Sequence, residues 1–414
     1  MNLYLIIILG SMLAAFALTF AVNLLNLRAL DPALPEEFRD VFDADEYARS
    51  QAYTRAGARL DLVEETLTIV LVPAFILLGG FNALDQLARS LELGSIATGL
   101  AFFGLLFVLN DLLALPLALY RTFVLEERFG FNRTNAATFA LDKLKGWALT
   151  VAIGGPLAAM VLWFFQATGP LGWLWAWLGV TMVMLGLQYL APAVILPLFN
   201  KFTPLPEGEL KHAIEDLATR TGFILSGLFV MDGSKRSAKS NAFFTGFGKK
   251  KRIALFDTLI NQMTTPQIVG VVAHEVGHNK RGHILRMTAL GIAKMGLILF
   301  LMSLFLDNAE LAAAFGMEQV SIHAGLIFFM LLYMPVALML GMGAQMLSRR
   351  HEFEADAFAA EATGDPEPLI SALKTLSVAN LSNLTPHPAY VFVHYSHPPV
   401  LARIKALQGL KGNK

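Results

Sequence analysis

The chain contains no cysteine among its 414 residues. This absence excludes disulfide bonds and thiolate metal sites, so any bound metal must use histidine, carboxylate or backbone oxygen ligands. Charged residues are also scarce, at 15% of the chain, and the formal net charge is zero. A chain without excess positive charge has no bulk electrostatic attraction for nucleic acid, so we expect no nucleic-acid partner.

Hydrophobic residues are abundant instead, at 55% of the chain, and they come in long blocks. A helix needs about 20 largely apolar residues to cross the hydrocarbon core of a bilayer. Seven blocks meet this requirement: 3–25, 66–88, 96–120, 147–168, 171–198, 284–306 and 322–346. The first lacks a basic N-terminal region and a clear cleavage site, so we interpret it as a retained span rather than a signal peptide.

The distribution of lysine and arginine predicts orientation, because cytoplasmic loops carry an excess of both. The segment 199–286 holds 13 and the tail 348–414 holds seven, whereas the 307–321 loop holds none. We therefore expect the N-terminus outside, and the active site and C-terminus in the cytoplasm. The short loops and the absence of cysteine favour a bacterial inner membrane over the endoplasmic reticulum.

These patterns predict an all-α polytopic membrane protein with a small α+β insertion on the cytoplasmic side. We divide it into spans one to five (1–198), the insertion (199–283), spans six and seven (284–347) and a cytoplasmic C-terminal region (348–414). Within the insertion, periodicity predicts a helix over 206–222, a strand within 223–233, and two strands joined by a basic turn within 240–260.

The stretch "VVAHEVGHNK" (271–280) contains His-Glu-x-x-His. Residues four apart share a helix face, so His274 and His278 can present two imidazoles to one ion. Glu275 points about 100° away and lies beside the metal rather than on it. Catalytic zinc also needs a third protein ligand and an open position for water. Such a site predicts a hydrolase in which Glu275 accepts a proton from zinc-bound water.

His283 is the nearest additional histidine, five residues after His278. On a continuous helix it would lie about 140° round from His278, facing away from the ion. We therefore expect His283 to lie outside the ligand set, in a supporting or surface role.

The segment "SRRHEFEADAFAAEATG" (348–364) is a better source of the third ligand, because it follows the last predicted span. Three acids compete there: Glu352, Glu354 and Asp356. Glu352 and Asp356 are four residues apart and share a helix face, so one carboxylate can bind metal while the other holds a metal-bound imidazole.

Taken with the seven spans, these motifs resemble the type I CAAX prenyl protease family, integral-membrane zinc metalloproteases of the gluzincin type. The resemblance runs nearly end to end and rests on "EERFGFNRTN", "SNAFFTGFG", "ALFDTLI", "HEVGHNKRGH", "SRRHEFEADAFA" and "HYSHPPVLARI". It implies that the spans enclose a water-filled chamber with zinc at its cytoplasmic end.

For the metal site, the resemblance implies one zinc ion per chain, bound by His274, His278 and Glu352. It implies Glu275 as the general base and Asp356 as the carboxylate that orients a ligating histidine.

The resemblance also assigns roles farther along the chain. In "HYSHPPVLARI" it points to His397 as a donor that steadies the tetrahedral intermediate, and to Arg403 as a partner in the same network. Asn241 and Ala242 are implied to lie on an edge strand whose backbone pairs with an extended substrate, a known mode of peptide recognition.

Two residues depart from the family pattern. His351 stands where an aromatic residue is expected, and Glu354 stands where glutamine is expected. Both lie next to the predicted site, and we expect His351 to occupy an exposed position on its helix.

The leading hypothesis is a zinc metalloendopeptidase acting on peptides or proteins near a prenylated or hydrophobic C-terminus. A membrane-protein quality-control protease without prenyl specificity is the alternative. An intramembrane protease of the site-2 type fits less well, because its motif lies inside a span. A metal-stabilised membrane transporter or binding protein is the non-enzyme alternative, but it gives Glu275 no purpose.

Overall fold

A computed structural model of the chain describes residues 2–245 and 252–411, most of which are helical. The N-terminal helices are α1 (Leu3–Arg28), α2 (Ala44–Leu77), α3 (Gly80–Arg89), α4 (Ser95–Tyr120), α5 (Ala136–Leu149), α6 (Gly155–Ala167), α7 (Gly172–Leu190) and α8 (Ile195–Phe199). Next come β1 (Phe202–Pro204), α9 (Glu209–Thr221), β2 (Gly227–Met231), β3 (Ala242–Thr245), β4 (Arg252–Phe256), α10 (Asp257–Gln262) and α11 (Thr265–Lys280). The chain ends with α12 (His283–Ser303), α13 (Ala309–Ala314), α14 (Ile322–Thr363), α15 (Glu367–Ala379), α16 (Pro388–His394) and α17 (Val400–Lys411).

Six helical stretches of the described chain are long and apolar enough to cross a membrane. The pair α2 and α3, bent by 62° at the break between them, makes a seventh if it counts as one span. All seven predicted spans therefore fall on such helices, and the prediction of a polytopic helical membrane protein is confirmed.

Proline and π-helical turns interrupt several of these helices. Pro73 and Pro116 lie inside α2 and α4, and π-helical turns follow α4 at Arg121–Glu126 and precede α6 at Thr150–Gly154. Proline cannot donate the backbone hydrogen bond that a regular helix requires, so kinks are expected at such positions.

Two charged residues in this region pair across helices, since Lys143 Nζ lies 2.6 Å from Asp111 Oδ1.

Helix α14 carries the chain out of the membrane. Its 42 residues would span about 63 Å at the rise of an α-helix. The hydrocarbon core is only about 30 Å thick, so a helix that crosses it has several turns left over. Glu352 and Asp356 lie in the last third of α14, beyond the apolar block 322–346.

A four-stranded sheet lies in the insertion, in the order β1-β2-β4-β3. Strands β2 and β4 pair in parallel, and the other two pairs are antiparallel. The strands predicted within 223–233 and 240–260 are present, while the predicted basic turn falls largely on 246–251, outside the described residues. Strand β1 was not predicted, because three residues ending in Pro204 give no readable alternation.

The insertion and the C-terminal region share one hydrophobic core. It is built from α9, β2, β4, α11, the end of α14, α15 and α17. It also includes Phe38, Phe42 and Tyr47, from the end of the α1–α2 connection and the start of α2. The sequence boundary between 199–283 and 348–414 therefore does not separate two cores. The residues around the metal motif are held by elements from three distant parts of the chain.

Helices α11 and α14 cross at close range within this core. Gly277 lies in the motif, and a Cβ atom added there would lie 3.1 Å from both the Cα and the carbonyl oxygen of Ala355. Only glycine gives this approach without displacing a neighbour. The crossing brings the motif histidines against the acids of α14.

We predict that Gly277→Val lowers both the thermal midpoint and the zinc content of the purified protein. The added side chain must push α11 away from Ala355, at a cost of about 1–3 kcal/mol for an overpacked contact. Gly343→Val is the matched control, because Gly343 lies in α14 and no neighbouring group comes within 4 Å of the position that its Cβ would take. Equal behaviour of the two variants would show that the close crossing does not hold the site.

Candidate metal centre

Helix α11 has a well-defined start that sets where its histidines point. Thr264 and Gln267 form a capping box, in which the Gln267 side chain accepts a hydrogen bond from the Thr264 backbone N–H at 2.8 Å. Pro266 follows in the first turn, where its missing N–H costs nothing. Because the helix then runs unbroken to Lys280, His274 and His278 lie one turn apart on the same face.

Three side chains converge at this face. His274 Nε2 and His278 Nε2 lie 3.1 Å apart, and Glu352 places Oε1 3.2 Å from His278 Nε2. Glu352 Oε2 lies 3.5 Å from His274 Nε2. One potential ligand atom from each residue falls within 4.8 Å of the others. The three residues predicted as metal ligands are therefore together, on α11 and α14.

A second layer of charged groups surrounds His274. Asp356 Oδ1 lies 2.8 Å from His274 Nδ1. Arg403 donates to both carboxylate oxygens of Asp356, at 2.8 and 2.6 Å, and its Nη1 lies 3.3 Å from Glu352 Oε2. All these side chains are buried. Hydrogen bonding to Asp356 leaves the other ring nitrogen of His274 facing Glu352.

The electrostatics of the site favour a positive charge beside Glu352. Burial lowers the pKa of His274, but hydrogen bonds to Asp356 and Glu352 more than offset this and raise the pKa to about 9. Buried carboxylates stabilise a cation in the same way whether it is a proton or a metal ion. Burial raises the pKa of Glu275 above its ordinary 4.5, so this neighbouring carboxyl binds a proton more readily than a glutamate in water.

The residues present fit a zinc-type metal. Two imidazoles and one carboxylate form the donor set of a catalytic zinc site, in which a fourth position stays open. Glu352 Oε2 is buried and makes no hydrogen bond, although Arg403 Nη1 lies 3.3 Å away. A buried carboxylate oxygen that makes no hydrogen bond is costly, and a cation held between Glu352 and the two imidazoles would reduce that cost.

His397 also lies at the site, on the segment between α16 and α17. Its Nε2 is 3.5 Å from Glu352 Oε1, and its side chain is 65% exposed. Arg349, which sequence reasoning missed, fixes the start of this segment by donating from Nη1 to the carbonyls of Val391 and Tyr395, at 3.1 and 2.5 Å. The first arginine of "SRRHEF" was the available signal, but nothing in the sequence indicated its partner.

Ala242 begins β3, the edge strand of the sheet, and pairs with Leu255 of β4. Asn241 precedes it, and the Asn241 carbonyl accepts a hydrogen bond from the Phe256 backbone N–H at 3.2 Å. Strand β3 contacts α11, the helix that carries His274 and His278. Both residues thus lie on an edge of the sheet beside the metal motif.

The predicted position of His351 is wrong. Instead of being exposed, His351 is 3% exposed and stacks on His283, with ring centroids 4.0 Å apart and planes 9° from parallel. His283 does not continue the motif helix, because Gly282 adopts φ +72° and starts a new helix, α12. The reversal brings His283 back against His278, with the two Nδ1 atoms 3.0 Å apart.

Comparison with known proteins gives full-length matches. Residues 23–201 match the family model for the CAAX prenyl protease N-terminal region, described as five membrane helices, and residues 204–411 match that for peptidase family M48. A CAAX prenyl protease 1 homolog of Arabidopsis thaliana is 35% identical over 97% of each chain. CAAX prenyl protease 1 of Saccharomyces cerevisiae is 34% identical over 99% of this chain and 96% of its own. The crystal structure of S. mikatae Ste24p superposes with a TM-score of 0.93, at 34% identity, covering 98% of this chain and 99% of that chain.

The acids of α14 allow a direct test of the ligand set. We predict that Glu352→Ala and His274→Ala lose zinc, while Glu354→Ala still binds it when zinc is saturating, because Glu352 faces both imidazoles. Metal content of the purified variants, after dialysis against excess zinc and removal of the unbound ion, is the measurement. If Glu354→Ala lost its zinc and Glu352→Ala retained it, Glu354 and not Glu352 would be the third ligand.

Proposed function

Since the chain belongs to peptidase family M48 and is a membrane-embedded metalloprotease, we propose that it cleaves peptide bonds near a prenylated or otherwise hydrophobic C-terminus. Relatives named as CAAX prenyl proteases support this substrate class, because they match the chain over nearly its whole length. The observation that carries the chemistry is the convergence of His274, His278 and Glu352. Glu275 is close enough to all three for their charges to affect its pKa.

We propose that those first three residues hold one zinc ion per chain. A bound zinc ion supplies Lewis acidity, which lowers the pKa of a coordinated water and polarises a carbonyl. Glu275 is adjacent to His274 on α11 and is not among the three candidate ligands, so its carboxylate is free to take a proton from the attacking water and pass it to the leaving amine. Its raised pKa favours the first of these steps, because a stronger base accepts the proton from water more readily.

Asp356 and Arg403 position the site. Asp356 accepts a hydrogen bond from His274 Nδ1–H, which fixes the ring orientation and leaves Nε2 as a donor of its lone pair. Arg403 holds both oxygens of Asp356 and balances the buried negative charge. His397 is exposed beside Glu352 and can donate a hydrogen bond to the oxygen on which charge develops.

We propose that substrate binds as an added strand on β3, beside Asn241 and Ala242. Strand β3 pairs with β4 along one side, and among the residues that the structure describes no strand pairs with its second side. Backbone pairing at a sheet edge reads no particular side chain, so it suits a protease that takes its specificity from a hydrophobic terminus.

We predict that Glu275→Gln keeps its zinc and loses about 10²–10⁴-fold in turnover, since an amide cannot take a proton. The assay compares a farnesylated CAAX peptide with the same peptide unprenylated, and Glu361→Gln, an exposed glutamate of α14, is the control. Full activity of Glu275→Gln would refute the role of Glu275. Equal cleavage of both peptides by the wild type would favour the quality-control alternative.

The orientation is also a proposal. Helix α14 delivers the site to the side where lysine and arginine are concentrated, which is the cytoplasmic side under the positive-inside rule. The loop 307–321 connects spans at the opposite side of the membrane. It is acidic and contains no lysine or arginine. Water then reaches the site from the cytoplasm rather than through the bilayer.

Single-cysteine labelling can test this orientation without background, because the chain has no cysteine of its own. We expect a membrane-impermeant maleimide to label Gln319→Cys from outside intact cells and Asp365→Cys only after the membrane is opened. Both positions are exposed. The reverse labelling pattern would show that the orientation is opposite to the one proposed.

A further inference from the structure

A chain of hydrogen bonds reaches the metal site through His278, whereas Asp356 contacts His274. His278 Nδ1 lies 3.0 Å from His283 Nδ1, and His283 Nε2 lies 3.0 Å from Glu354 Oε2. His283 is 2% exposed. None of these contacts belongs to the ligand set, and the roles derived above use neither His283 nor Glu354.

Glu354 is held as a carboxylate by neighbouring arginines. Arg350 donates from Nε to Glu354 Oε1 at 3.0 Å, and Arg286 Nη1 lies 3.9 Å from Oε2. An ionised carboxylate can only accept hydrogen bonds. The nitrogen of His283 that faces it, Nε2, must therefore carry the proton.

The position of the His283 proton decides which ring nitrogen of His278 carries a proton. A neutral imidazole with its proton on Nε2 has a lone pair on Nδ1, so His283 Nδ1 accepts a hydrogen bond from His278 Nδ1–H. His278 then has its own lone pair on Nε2, the atom that faces Glu352 Oε1 at 3.2 Å and His274 Nε2 at 3.1 Å. We propose that Glu354, acting through His283, fixes the tautomer and ring orientation of His278 for metal binding.

The two metal-binding histidines are thus oriented by two different hydrogen-bond arrangements. Asp356 contacts His274 directly, whereas Glu354 reaches His278 only through an intervening imidazole. Gly282 makes this possible, because its left-handed conformation turns the chain so that the first residue of α12 faces the motif. His351 stacks on His283 and limits its ring to one plane, but its own contact with His283 is through the ring face rather than through a hydrogen bond.

The proposal rests on the zinc site proposed above and is tested by zinc affinity, measured on the full-length protein by competition with a chelator. His283→Phe keeps a ring to stack on His351 and removes both nitrogens, and Glu354→Leu removes the acceptor. Each is expected to weaken zinc binding about 10–100-fold, the usual effect of losing an outer hydrogen-bond partner. Glu354→Gln keeps an acceptor oxygen for His283, so its zinc affinity is expected to stay within a few-fold of the wild type. This conservative variant separates loss of the acceptor from loss of the charge.

His351→Phe is the matched control, because it changes the stacked ring without touching the hydrogen bonds, and it should bind zinc like the wild type. The visible spectrum of the cobalt-substituted protein gives a second readout, expected to change in His283→Phe and Glu354→Leu alone. Wild-type affinity in both would overturn the proposal. If His283→Phe fails to fold, Glu354→Leu against Glu354→Gln decides, since Glu354 is 31% exposed. A wild type that binds no zinc would instead refute the zinc site itself.

Discussion

The site depends on the close crossing of α11 and α14. Gly277 lets the two backbones approach until its Cα faces Ala355, and this approach places His274 and His278 against Glu352 and Asp356. A metal ligand must lie within a few tenths of an ångström of its proper distance. A larger residue at the crossing would therefore move Glu352 away from His274 and His278, even with all three proposed ligands still present.

The crossing also concentrates negative charge in a buried place. Glu275, Glu352 and Asp356 lie within the same region, and Arg403 is a buried cation beside them. Removing one partner from a buried charge network is strongly destabilising, because the remaining charge has no water to solvate it. A bound cation therefore contributes to the stability of this part of the fold as well as to its chemistry. The pKa of His274 is raised for the same reason, because hydrogen bonds to Asp356 and Glu352 favour a positive charge on its ring.

Much of the site could be read from the sequence because it depends on short-range spacing. Four-residue separations place His274 with His278, and Glu352 with Asp356, on common helix faces whatever the rest of the chain does. The surroundings of His283 and His351 were not readable. The expectation for His283 assumed one continuous helix, and a single left-handed residue, Gly282, changed its direction. The burial of His351 follows from that change, because the returning His283 ring covers it.

The span pattern was readable for the same local reason, whereas the division into domains stays a prediction. A boundary at 347 falls inside α14, which continues without a break from the membrane to Glu352 and Asp356. A rigid helix transmits any tilt or shift of its membrane portion to its far end, where Glu352, the proposed third ligand, lies. The metal geometry is therefore coupled to the packing of α14 against α1 and α4 within the membrane. This coupling gives a physical reason why the catalytic part would not be expected to work when cut free of its membrane helices, although its core residues lie outside the predicted spans.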